Sequence, residues 1–180
     1  ARGVGLPLAL LCAGFAAMTL WLQFTRRRKV DDATSLNFRV AMLALFAFGV
    51  SVAAIVAFPE LADDPRATVW LGMLAFPGVF VSTISGMMYK IAPFLNWLHL
   101  QRLGAPISAV PNMKKMISAD AMTAQFRLHV LALLLLLASV WLPSLVRAAG
   151  IMFAGSCVWL GWNLISAVNS YRRFRDQIRA

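Results

Sequence analysis

VAMLALFAFGVSVAAIVAF, residues 40–58, contains no charged side chain, and only Gly49 and Ser51 interrupt its apolar character. As a helix this run is roughly 28 Å long, which matches a hydrocarbon layer of about 30 Å. Open sheets are excluded in lipid, because their unpaired backbone groups find no water there. The alternating ten-residue segments of a membrane β-barrel are also missing. The stretch therefore reads as a transmembrane helix.

Four further runs have the same character. The first is closed by Thr25-Arg26-Arg27-Arg28-Lys29, and the second, just quoted, by Pro59-Glu60. The third starts near Val69, the fourth stops at Pro143, and the fifth ends before Tyr171-Arg172-Arg173. The sequence predicts an all-α, polytopic transmembrane bundle of about five helices forming one domain. The helices are expected over about 4–24, 40–58, 69–92, 126–143 and 148–168.

The composition agrees. The hydrophobic fraction is 61% and the mean hydropathy +0.74, above the roughly 45–50% apolar content of soluble domains. A net charge of +10 would suit nucleic acid if it formed one patch. Here the basic residues form short clusters between apolar runs, as membrane-flanking residues do. The expected surroundings are the lipid bilayer, with other helices of a longer chain or partner subunits, and no nucleic acid. The opening Ala1-Arg2-Gly3 lacks an initiator Met, and the chain is expected to be part of a larger membrane protein.

The basic residues also predict an orientation. Arg26, Arg27, Arg28, Lys29 and Arg39 precede or begin the second helix, and Lys90, Arg102, Lys114, Lys115 and Arg127 lie between the third and fourth. Arg172, Arg173, Arg175 and Arg179 follow the fifth. These account for 14 of the 17 basic residues, and alternating spans put all three groups on one side. Positive residues stay cytoplasmic, so the N-terminus is expected outside and the C-terminus inside a bacterial inner membrane.

Small residues recur at four-residue spacing, as Gly49, Ala53 and Ala57 in the second helix and as Gly78, Ser82 and Gly86 in the third. Such stripes let helix backbones approach closely. The Leu133–Leu137 run of the fourth helix is expected to face lipid. Pro93 should kink or end the third helix. Tyr89 and Trp97 suit an interfacial belt, and Lys90 can reach up to headgroups. The segment from Gly104 to Met116, with Pro106, Pro111, Lys114 and Lys115, reads as a basic loop near anionic headgroups. Ser118 is the expected N-cap of the helix that follows.

Candidate chemistry is sparse. Cys12 and Cys157 form no CxxC or Cys/His cluster, so they read as packing residues, and neither a zinc site nor attached c-type haem is expected. No catalytic motif or carboxylate pair is present, and no helix centre carries Asp, Glu, Lys or Arg. Asn163, Ser156, Ser166 and Ser51 are the polar residues within helices, with Asn163 the expected interhelical hydrogen bonder. The two histidines, His99 and His129, are expected to follow the third helix and to open the fourth, both near the cytoplasmic interface. They are the candidate cofactor-binding residues, as two imidazoles able to ligate one haem iron. The competing reading is interfacial packing, with the polar ring edge in water.

Gly-Met-Met-Tyr-Lys-Ile-Ala-Pro-Phe-Leu-Asn-Trp-Leu-His (86–99), then Val-Pro-Asn-Met-Lys (110–114) and Gln-Phe-Arg-Leu-His (125–129), carry a family resemblance. Across roughly residues 69–130 the chain resembles the C-terminal part of bacterial multi-spanning proteins distantly similar to haem-copper oxidase subunit I and NnrS-type haem-copper membrane proteins. The resemblance implies a respiratory membrane component of about a dozen helices, with haem as the cofactor. Those families hold their metals with several histidines deep in the helices, so most ligands would lie outside these 180 residues. A permease-like transporter component and a structural membrane subunit are the alternative functions.

Overall fold

A computed structural model describes residues 2–25, 32–102 and 116–179. Among them there is no strand, and five helices are long and apolar enough to cross a membrane. The all-α bundle is as expected. We label the helices α1 (Arg2–Phe24), α2 (Ala33–Ala57), α3 (Pro65–Arg102), α4 (Ala119–Ser139) and α5 (Val146–Arg179). The basic loop expected over residues 104–116 and the basic cluster 26–29 lie almost wholly outside the described residues.

Two helices begin earlier than their apolar runs. Asp32 starts α2 by accepting a 2.7 Å hydrogen bond from the Ser35 amide. Ser118 starts α4 by accepting from the Ala121 amide, the expected cap. Capping satisfies amide groups that have no partner within the helix, so the polar first turns 33–39 and 119–127 are helical although their composition resembles a loop. The expected start near 40 is corrected accordingly, and the span expected from 126 continues the helix that Ser118 was expected to cap.

Two helices also end later. Pro93 does not end α3, whose helical backbone continues to Arg102. The 34-residue α5 is roughly 51 Å long, well beyond a bilayer core. The two overhanging ends support each other. Asn96 Nδ2 donates to the Ala167 carbonyl at 3.0 Å. Leu100 and Met116 are buried there beneath Trp97, Tyr171 and Phe174. This local core offsets the hydrogen bond Pro93 cannot make. It also explains why the expected ends at 92 and 168 fall short.

The irregular stretch of α3 lies earlier, at Leu74–Val81, where the helix widens into π-type turns around Pro77. Wide turns of this kind release backbone groups that side chains can then use.

The small-residue stripes sit at helix crossings. A Cβ on Gly49 would lie 2.8 Å from the Ala9 carbonyl oxygen and 2.9 Å from the Ala13 nitrogen, so α1 and α2 touch backbone to backbone. A Cβ on Gly86 would meet Asn37 Cβ at 3.1 Å and the Thr34 carbonyl oxygen at 3.2 Å, where α3 crosses the start of α2. Apolar side chains cover the outside, among them Leu10, Leu11 and Phe15 of α1 and Ile151, Val158 and Trp162 of α5. Water would not tolerate so large an exposed apolar surface, whereas lipid does.

The fourth helix does not face lipid as expected. Gln125, His129, Ala132, Leu133 and Leu136 are buried, and only the opposite side, with Leu131 and Leu134, is exposed. Its leucine run is continuous in sequence, but helical geometry divides it between two faces.

Candidate functional site: a buried polar column

Buried polar side chains of α3, α4 and α5 form a column between these helices. At one end Tyr89, on α3, donates its hydroxyl hydrogen to Gln125 Oε1 at 3.0 Å. Asn163 Nδ2 of α5 donates to the Tyr89 hydroxyl oxygen at 3.0 Å and lies 3.3 Å from the Ala121 carbonyl. Gln125 Nε2 donates to the Ser156 carbonyl at 3.2 Å. Three helices are thus joined through one amide–phenol–amide chain. Asn163 fills the interhelical role its position suggested, while Tyr89 is turned into the bundle and does not face lipid.

One helical turn deeper, four residues after Gln125 and on the same face of α4, is His129. It is fully buried, and its Nε2 lies 2.9 Å from Ser82 Oγ of α3. Ser82 Oγ also lies 3.3 Å from the Pro77 carbonyl oxygen, in the π-type segment. A single proton arrangement serves both contacts. Ser82 donates to Pro77, and His129 donates its Nε2 proton to Ser82. Nδ1 then carries the lone pair, and it has no hydrogen-bond partner among the described residues. The Phe153 ring flanks the imidazole, with centroids 6.2 Å apart.

The column stops at this level. A Cβ on Gly78 would press on Ala44 Cβ at 2.8 Å and stand 3.8 Å from Leu133 Cδ1. Leu133 and Leu136 are buried beside it. The polar chain therefore ends in a tight apolar layer near the middle of α4.

The opposite end leads to a half-open cleft of about 590 Å³, lined by Tyr89, Lys90, Pro93 and Phe94 of α3, by Asp32, Ala33 and Thr34 of α2, and by Ile117, Ala119 and Met122. Tyr89 belongs to both the cleft wall and the column.

The structure does not bring the two histidines together. His129 stands ten residues, roughly 15 Å, inside α4 and touches α3 at Ser82. His99 lies seventeen residues further along α3 than Ser82, roughly 25 Å at the helical rise. It is exposed on the overhanging end, with its ring centroid 6.3 Å from that of Tyr171. Ligation by both imidazoles requires each nitrogen within about 2 Å of one metal. A haem shared by His99 and His129 does not fit, and the expectation of equal depth is corrected. The cause is that ten residues of α4 precede His129, which puts it at the centre of the helix and not at its mouth.

Among the described residues no group of three His, Cys, Asp or Glu side chains stands together. Cys12 and Cys157 are free thiols on α1 and α5. Ser51 serves the other end of the bundle, accepting from Trp70 Nε1 at 2.9 Å, and Ser166 is exposed. Ser82, Tyr89 and Gln125 are the site residues that the sequence did not single out for chemistry. The spacing of Gln125 and His129, two polar groups one turn apart within an apolar helix, was the available signal. No known protein family, curated protein or solved structure matches this chain.

Proposed function

We propose that the chain is part of a respiratory-type, haem-copper-oxidase-like component of a bacterial inner membrane, in which these helices supply a buried polar column that includes His129. The His129–Ser82 pair carries this reading. Ionisable side chains within membrane helices are rare and mark proton or substrate paths, and this one has a fixed partner on one ring nitrogen and a free lone pair on the other. Tyr89, Gln125 and Asn163 form a hydrogen-bonded chain on the cleft side of His129, one helical turn short of the imidazole, by groups that both donate and accept. Such groups can orient water or hand on a proton without holding a permanent charge.

In this reading the redox groups are held by other helices of a longer chain or by a partner subunit, and no step here passes through them. The apolar layer beyond His129 disfavours a permease-like passage, because it closes the polar path at mid-bundle. The bias of basic residues assigns the cleft end to the cytoplasm, with the N-terminus outside.

The test is purification of the full-length protein with its native partners, followed by reduced-minus-oxidised absorption spectra. The expected result is a haem signal that survives both His99→Ala and His129→Ala, with slower proton-coupled turnover in the His129 variant alone. Absence of any redox-active group would overturn the reading. A C-terminal reporter active only outside the cytoplasm would overturn the orientation.

A further inference from the structure

The cleft beside Tyr89 has an apolar wall, one cationic side chain and a position at the ends of helices. Ala33 and Thr34 are in the first turn of α2, and Ala119 is the first residue of α4. Both helices therefore begin at the level of the cleft, and their capped, polar first turns suit the zone where hydrocarbon gives way to headgroups. Ile91, Pro93, Phe94, Ile117 and Met122 provide the apolar surface.

Two charged residues line the cleft, Asp32 and Lys90. They are not equivalent. The Asp32 carboxylate accepts from the Ser35 amide at 2.7 Å and offsets the positive end of α2. Lys90 is exposed, and no hydrogen bond or ion pair engages its ammonium group among the described residues. A free ammonium at headgroup level, above an apolar trough between helices, suits an acyl chain that carries an anionic head. A purely apolar ligand would leave Lys90 without a partner, and a soluble anion would leave the trough empty.

We propose that this cleft binds one anionic phospholipid, with its phosphate on the Lys90 ammonium and an acyl chain along Phe94, Ile117 and Met122. The end of the bundle that carries the cleft is also the one where the sequence concentrates basic residues, and basic surfaces between membrane helices attract anionic lipid heads. The volume of about 590 Å³ lies within the range of specific small-molecule sites. The proposal does not depend on any redox role for the protein.

The experiment reconstitutes the full-length protein in vesicles of phosphatidylcholine with and without phosphatidylglycerol, re-extracts it, and counts retained phospholipid by native mass spectrometry. The wild type is expected to retain phosphatidylglycerol in preference to phosphatidylcholine. Lys90→Gln should lower that preference about five-fold, the scale of one basic residue at a membrane surface, and Lys90→Arg should keep it. Ala119→Trp should expel lipid of either kind, since Ala119 is exposed at the cleft wall and a large ring there fills space without entering the core. Thermal midpoints close to wild type establish that the variants are folded. Retention without headgroup preference, or full retention in folded Lys90→Gln and Ala119→Trp proteins, would overturn the proposal.

Discussion

His129 Nε2 and Ser82 Oγ meet at 2.9 Å in a fully buried contact between α4 and α3. Ser82 is held in turn by the Pro77 carbonyl at 3.3 Å. The widened turns around Pro77, the serine one turn beyond it and the histidine thus form one unit. Ser82→Ala leaves the Nε2 proton without an acceptor. Hydrogen bonds between membrane helices average about 0.6 kcal/mol, with a maximum of about 1.7, so a loss on that scale is expected in reversible unfolding from detergent. Ser82→Ala and His129→Leu together should be less destabilising than the sum of the two, because the double variant strands no polar group.

Tyr89→Phe removes one hydroxyl and with it two hydrogen bonds, to Gln125 and from Asn163. Its effect on stability should exceed that of Ser51→Ala, which removes one interhelical contact, with Trp70, and a local bond to the Ala47 carbonyl within α2. In a double-mutant cycle Tyr89→Phe and Gln125→Leu should couple, whereas Tyr89→Phe and Ser51→Ala should add.

Gly49 and Gly155 make an internal comparison. Gly49→Leu places side-chain atoms where the α1 backbone already lies, 2.8 Å from the Ala9 oxygen, while a Cβ on Gly155 meets nothing within 4 Å. The first substitution should lower the thermal midpoint and loosen α1, seen as faster proteolysis near residue 25. The second should leave both near wild type.

Leu100→Ala tests the overhanging pair of α3 and α5. Leu100 is fully buried against Met116 and under Tyr171 and Phe174, and truncating a buried leucine typically costs about 2–5 kcal/mol. Hydrogen exchange should accelerate selectively in residues 94–102 and 168–175 and change little around Gly49.

The bundle was legible in the sequence because lipid imposes a length and a composition, and five runs met both. The ends were less legible. Hydropathy reports where a helix leaves hydrocarbon, not where its hydrogen bonding stops. The capped polar turns at Asp32 and Ser118 and the amphipathic ends around Leu100 and Phe174 therefore lay outside the apolar runs. The stripes at Gly49 and Gly78 indicated close packing, but one sequence could not pair them with Ala13 and Ala44. The depth of His129 follows from the ten residues of α4 that precede it, whereas the apolar span expected from about 126 leaves the histidine near its mouth. Ser82 was visible only as a small residue, because its partner lies 47 positions away.

The separation of the two histidines is the point on which the functional reading turns, and a distance measurement tests it most directly. Spin labels at His99→Cys and Leu131→Cys, with Cys12 and Cys157 replaced by alanine, report on both sites. Leu131 is exposed two residues beyond His129, so the label leaves the buried pair intact. Pulsed dipolar spectroscopy on the full-length protein in lipid is expected to give a distribution centred at or above about 25 Å, the helical rise between Ser82 and His99. A distribution centred well below that distance, close enough for the two residues to ligate one haem, would contradict the account.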